Sequence, residues 1–172
     1  MSKCFVILSM HRSASSLVSQ AMQNYCGWVM DDIKPGFGQP HGNYEHYAMR
    51  KLNDDILKAA CGDWRHLPSV QAIKGQAERF KPRIKKVLSS LEGDRKIWGW
   101  KDPRSVVTIP LMAPYIKNLH LIGLFRKPEK AAKSLSDRDG QRDNLGYDEA
   151  FALTLEYNAR LLQVLMKFGG EA

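Results

Sequence analysis

The sequence has only three cysteines, Cys4, Cys26 and Cys61, at irregular spacing. That number and spacing make neither a disulfide framework nor a zinc site. Buried free thiols are the default for such residues, and a cytoplasmic location is the expectation that follows. No apolar run approaches the ~20 residues of a membrane span. The N-terminal apolar run is too short for a signal peptide, and no small-residue cleavage site follows it. Internal repeats and low-complexity tracts are lacking, and no cluster of ligating side chains points to a metal. A further absence concerns the turn Ser9 to Ser16, which contains neither glycine nor lysine. It is therefore not the ATP-binding loop of pattern G-x-x-x-x-G-K-[ST].

What is present fits a single domain over residues 1–172. A chain of this length can bury roughly 70% of its unfolded surface, enough for a proper core. A hydrophobic fraction of 44% and a charged fraction of 26% are those of a soluble globular protein. The net charge of +8 favours an anionic partner. The one dense basic cluster, Lys74 to Lys86, reads as a solvated helix face rather than a nucleic-acid patch, so no nucleic acid is expected as partner.

The chain is organised around Cys4 to Ala21. Cys4, Phe5, Val6, Ile7 and Leu8 form a continuous apolar run, as in a strand covered on both faces. Ser9 to Ser15 is a polar turn carrying His11 and Arg12. Leu17, Val18, Ala21, Met22 and Tyr25 then recur at helical spacing. A helix beginning near Ser15 or Ser16 would aim its free N–H groups and the positive end of its dipole back into the turn. That geometry binds phosphate or sulfate. The bland alternative is a plain strand–turn–helix with a serine N-cap.

Further along, Trp28 to Met30 is a candidate short strand. Asp31 to Asn43, with its prolines and glycines, reads as a long loop that walls or lids an acceptor site. Tyr44 to Ala60 is predicted helical, with Glu45, Met49, Leu52 and Ile56 on one face. Glu45 is the one acid on that stripe, so it must be paired or line a cavity; the alternative is an acid suited to the first-turn dipole. Lys74 to Leu91 is predicted helical with a kink or restart at Pro82. Ile97 to Trp100 is a second strand, followed by Lys101-Asp102-Pro103-Arg104. These charges lie where an open α/β sheet puts its ligands; the alternative is a surface turn with a local Asp102–Arg104 pair. Ile109 to Lys117 is a short helix, and Leu119 to Phe125 is a third strand running directly into Arg126. Glu129 to Asp139 is helical, with Pro128 at its first position. Asp139 to Gly146 is a loop. Tyr147 to Phe168 is the last helix, with Phe151, Leu155, Leu162 and Leu165 toward the core and Gly169-Gly170 as its stop.

Strands alternating with helices predict an α/β fold with a small parallel sheet flanked by helices. Each predicted strand ends in a basic group, Arg12, Lys101 or Arg126. Three separate strand ends would bring these cations to one edge of the sheet.

This combination resembles the sulfotransferases that use 3′-phosphoadenosine 5′-phosphosulfate, in particular a bacterial and phage-type branch. HRSASSL at His11 to Leu17 is similar to that family's 5′-phosphosulfate loop. FRKPEKAAKSL at Phe125 to Leu135 is similar to its 3′-phosphate motif, in which a serine follows the strand-end arginine by eight residues. WGWKDPR at Trp98 to Arg104, GNYE at Gly42 to Glu45 and SLSDRDG at Ser134 to Gly140 also match patterns of the branch. The resemblance covers roughly Phe5 to Leu162. It implies a P-loop NTPase-like sulfotransferase fold over the whole chain. It also implies a nucleotide donor, an acceptor hydroxyl on a sugar or small molecule, and no metal. By the same resemblance His11, Arg12, Ser13, Ala14, Ser15 and Ser16 hold the 5′-phosphosulfate. Arg126 and Ser134 hold the 3′-phosphate, Lys101 stabilises charge, and Glu45 is the base. His41 and His46 compete for that last role. Two departures stand out: Ala14 replaces the family's usual glycine, and the basic, glycine-containing C-terminal loop that caps the nucleotide in cytosolic members is not found in this sequence. The rival readings are a nucleotide kinase-like phosphotransferase of related fold and a non-catalytic nucleotide- or anion-binding protein.

Overall fold

A computed structural model describes residues 2–28, 43–139 and 144–168. Three strands, β1 (Lys3–Ser9), β2 (Ile97–Lys101) and β3 (Leu119–Leu124), form a parallel sheet in the order β2-β1-β3. The register pairs Ile7 with Lys101 and Ser9 with Leu124, so all three carboxyl ends leave the same edge. Successive side chains of β1 point to opposite faces. Cys4, Val6 and Leu8 enter the large core on one face, while Ile7 packs with Trp28 and half-buried Phe5, Val18 and Met22 on the other. Both faces are thus covered, which is why the strand reads as an unbroken apolar run. At Gly99 in β2 no side chain fits, because a Cβ would run into the Phe5 carbonyl and the Trp28 ring.

Helix α1 (Ser15–Cys26) lies on the small-cluster face. The large core on the opposite face takes side chains from α2 (Tyr47–Ala59), α3 (Val70–Lys74), α4 (Ala77–Glu92), α5 (Ser105–Met112), α6 (Pro128–Asp139) and α7 (Tyr147–Phe168). No helix of the described residues is long and apolar enough to cross a membrane.

Several expected boundaries and faces differ. Helix α2 starts at Tyr47, because Tyr44 adopts a left-handed φ of 52° and breaks the turn. Glu45 therefore precedes the helix, and the first turn carries no acid, which removes the dipole explanation for it. The break before α4 falls at Gly75-Gln76, where α3 stops, and Pro82 lies exposed within a continuous helix. Helix α5 begins at Ser105 rather than Ile109 and passes into a single 3₁₀ turn, Ala113–Tyr115. It is buried on nearly all sides, so it has no polar face to mark its start.

On α1 only Val18 and Met22 of the apolar stripe pack against the sheet. Leu17, Ala21 and Tyr25 are exposed, whereas Ser19 is fully buried and donates to the Tyr44 carbonyl at 2.9 Å. On α7 the core side is Ala150, Leu153, Thr154, Tyr157, Leu161 and Val164; half-buried Phe151 and Leu165 pack against the core as expected, but Leu155 and Leu162 face outward. The expected strand at Val29 and Met30, the loop across 31–42 with His41, the loop across 140–143 and the stop at Gly169-Gly170 lie outside the described residues.

Candidate functional site

The carboxyl edge of the sheet opens into a cavity of about 920 Å³, near the upper end of the roughly 300–1,000 Å³ typical of ligand pockets. Arg12, Lys101 and Arg126, from the three strand ends, all line it. His11, Ser13, Ala14, Ser15, Ser16 and Glu45 line it as well. Among the described lining residues six are Lys or Arg and two are Asp or Glu, a balance that suits a polyanion.

The turn after β1 is built with two left-handed residues, Arg12 at φ 64° and Ala14 at φ 62°. Ala14 is the N-cap position of α1, no side chain caps the helix, and its first turn has no acid. The exposed donors and the dipole of α1 are therefore available to an anion. The serine N-cap alternative does not hold. Ser16 Oγ instead donates to the Asn43 carbonyl at 3.0 Å, and Gln20 Nε2 donates to Tyr44 Oη at 2.7 Å. Together with Ser19 these bonds stitch the segment carrying Glu45 to α1.

An alanine held left-handed costs roughly 1–2 kcal/mol, part of which glycine would return through a more flexible unfolded chain. Ala14→Gly is therefore expected to stabilise the protein by about 0.5–1 kcal/mol, read from denaturant unfolding.

Glu45 and Lys101 form a buried ion pair, with Lys101 Nζ 2.9 Å from Glu45 Oε1 and side-chain exposures of 4% and 8%. Burial pushes the Glu45 carboxyl above its ordinary pKa, and Lys101 pulls against that shift. The inward acid of the sequence pattern is thus both paired and cavity-lining.

Arg126 Nη1 donates to the Arg12 carbonyl at 2.7 Å, so the third strand end braces the first loop. Arg12 Nε donates to Ser134 Oγ at 3.0 Å. Ser134, two turns along α6, is not among the lining residues; it touches the site through the Arg12 guanidinium. His46 is the N-cap residue of α2 and does not line the cavity either.

The Asp102–Arg104 turn is not a surface feature. Asp102 is 1% exposed and accepts from Arg104 Nη1 at 2.8 Å, while Arg104 Nε lies 2.6 Å from Asp54 Oδ1. Asn53 Nδ2 donates to Asp102 Oδ2 at 2.9 Å and to Ser105 Oγ at 3.0 Å. Trp100 Nε1 also donates to Ser105 Oγ, and Thr108 Oγ1 donates to Asn53 Oδ1 at 2.7 Å. Burial opposes the charge on Arg104, but the carboxylates of Asp102, Glu45 and Asp54 outweigh it and raise its pKa. Arg104, one of the strand-end charges expected at the ligand edge, and Arg138, within the SLSDRDG motif, also line the cavity, and Arg50, Asp54 and Trp64 complete walls that the sequence patterns did not assign to a site. The signal available for Arg104 was its place two residues beyond a buried Asp at a strand end.

His11 packs edge-on against Trp64, with ring centroids 4.8 Å apart, and its enclosed Nε2 has no hydrogen-bond partner among the described residues. Burial, then the positive charges of Arg104, Arg138, Lys101 and Arg12, hold its pKa well below the usual histidine value. The unfolded chain binds a proton on this residue below about pH 6.5, whereas the folded chain does not. Stability is then complete above that pH and is lost as pH falls through it. His11→Asn is expected to flatten the fall, measured as midpoints of urea unfolding between about pH 7.5 and 5.

Comparison with protein-family models, with curated proteins and with solved structures found no significant match.

Proposed function

We propose that this chain is a sulfotransferase, moving a sulfuryl group from 3′-phosphoadenosine 5′-phosphosulfate to an acceptor hydroxyl on a sugar or small molecule. The observation that carries the reading is the meeting of Arg12, Lys101 and Arg126 in one cavity, beside an uncapped helix N-terminus and a buried carboxylate. The finer fold assignment, a P-loop-like sulfotransferase sheet, belongs to the same proposal, as does the absence of any metal from the chemistry.

On this reading the N-terminus of α1 and Arg12 hold the 5′ end of the donor, and Arg126 holds its 3′-phosphate. The acceptor oxygen attacks sulfur in line with the bridging phosphate oxygen. The new S–O bond forms as the old one breaks, and the product nucleotide is adenosine 3′,5′-bisphosphate. The acceptor proton goes to Glu45. Charge growing on the bridging and sulfuryl oxygens meets Arg12 and Lys101. Lys101 transfers a hydrogen bond from Glu45 to the reacting group, which leaves the carboxylate free as base. A desolvated carboxyl with a raised pKa suits that task.

Arg126→Ala is the discriminating experiment. Calorimetric titration is expected to show adenosine 3′,5′-bisphosphate weakened by about tenfold to a hundredfold, the worth of a hydrogen bond to a charged group. AMP should lose far less. Because Arg126 also braces the Arg12 carbonyl, only the difference between the two nucleotides reports on the 3′-phosphate, and equal losses would refute that role. Wild-type protein that prefers ATP would favour the kinase-like alternative. The strained Ala14 favours a second reading, a nucleotide-binding protein without turnover. Incubation with sulfur-labelled donor and a panel of sugars and phenols separates the two.

A further inference from the structure

Helix α7 carries two apolar faces. One enters the core; the other points outward and reads Ala152, Leu155, Ala159, Leu162, Met166. All five are exposed, with Leu155 at 46%, Leu162 at 52% and Met166 at 87%. The spacing of three, four, three and four residues is the a/d seam of a coiled coil, and a run of this kind on a soluble surface marks an interaction site. Half-buried Phe151 and Leu165 pack against the core beside this stripe, and Gly123 lets Leu165 approach the sheet closely. We propose that the chain pairs with a second copy of itself through this outward face of α7, the two helices running antiparallel about Ala159.

Two features select this occupant and direction. Reversing the stripe about Ala159 sets Met166 opposite Ala152 and Leu162 opposite Leu155, so large meets small at the ends and the alanines let the helices approach closely at the centre. The first turn of α7 carries Asp148 and Glu149 and the last turn carries Lys167. Antiparallel copies bring these acids toward the partner's base and oppose the two helix dipoles. Parallel copies would set acid against acid. A two-fold axis makes the patch self-complementary, as the commonest oligomers are. The cavity at the carboxyl edge of the sheet is lined by no residue of α7, so pairing leaves it open.

Sedimentation equilibrium over a range of concentrations is expected to show a monomer–dimer equilibrium. Leu162→Glu should weaken it by roughly thirtyfold or more, the effect of losing a central anchor, with an unchanged far-UV spectrum because the site is exposed in the monomer. In a Cys26→Ser/Cys61→Ser background, Ala159→Cys should cross-link to itself with a short bis-maleimide. Ala152→Cys should link to Met166→Cys chains but not to itself. Wild-type protein that stays monomeric throughout, or a Leu162→Glu dimer as tight as wild type, overturns the proposal. Efficient self-linking of Ala152→Cys overturns the antiparallel arrangement.

Discussion

Glu45→Gln is expected to lower turnover by a hundredfold to ten-thousandfold while leaving affinity for the donor nucleotide nearly unchanged. That range is what a positioned proton acceptor contributes. The substitution is nearly isosteric, and the amide oxygen can still accept from Lys101, whose Nζ lies 2.9 Å from the carboxylate. Folding and the shape of the cavity should therefore survive, which thermal unfolding checks. The proton-accepting lone pair on a charged oxygen does not survive. The pH profile supplies a second readout. Burial raises the Glu45 carboxyl above its ordinary value, so the acid limb of kcat/KM in the wild type should sit above the usual glutamate range of about 4.3 and be missing from the variant's residual rate. A fully active Glu45→Gln protein would move the base elsewhere. His46, the N-cap residue of α2, is outside the cavity lining, and His41 lies outside the described residues.

The parts of this site that could be read in the sequence were those set by local pattern. Strand ends are marked by an apolar run stopping at a charge, and Arg12, Lys101 and Arg126 each follow such a run. A parallel sheet then forces its three carboxyl ends to one edge, so three one-dimensional signals became one cavity. Glu45 was legible for a related reason: an acid on an apolar stripe needs a partner, although the pattern placed it inside a helix that begins two residues later.

What escaped depends on partners distant in sequence. Ser19 is polar and yet fully buried, because the carbonyl it donates to belongs to Tyr44. For Lys101 to Arg104 the sequence left a ligand edge and a surface turn both open, because Asn53, which bonds Asp102, and Asp54, which pairs with Arg104, come from α2. On α7 the difficulty was different in kind. A helix apolar on two faces has no single period, so hydrophobic spacing alone could not say that Leu153 and Tyr157 go inward while Leu155 and Leu162 remain outside. Leu155 and Leu162, the two residues wrongly expected in the core, are also the two leucines of the face that supports the pairing of two copies.

Lys101→Met should lower kcat by about a hundredfold to a thousandfold, the usual loss when a pre-placed charge donor is removed. The structural role of the residue must be separated from the chemical one, because the ammonium is 3% exposed as a residue and bonded to a buried carboxylate. Breaking one side of a buried pair typically costs about 3–5 kcal/mol, since a charge is left without compensation. Here the cost has an outlet, as Glu45 already has a raised pKa and would take up a proton. The single variant should thus be less stable at neutral pH and recover as pH falls, since the folded state then binds the extra proton. A Glu45→Gln/Lys101→Met double variant removes both charges at similar volume, and it should regain most of the lost stability. It should regain none of the rate. Recovery of stability with activity still missing assigns the pair to the chemistry; recovery of both would reduce Glu45 and Lys101 to a strut holding the loop before α2 against the end of β2.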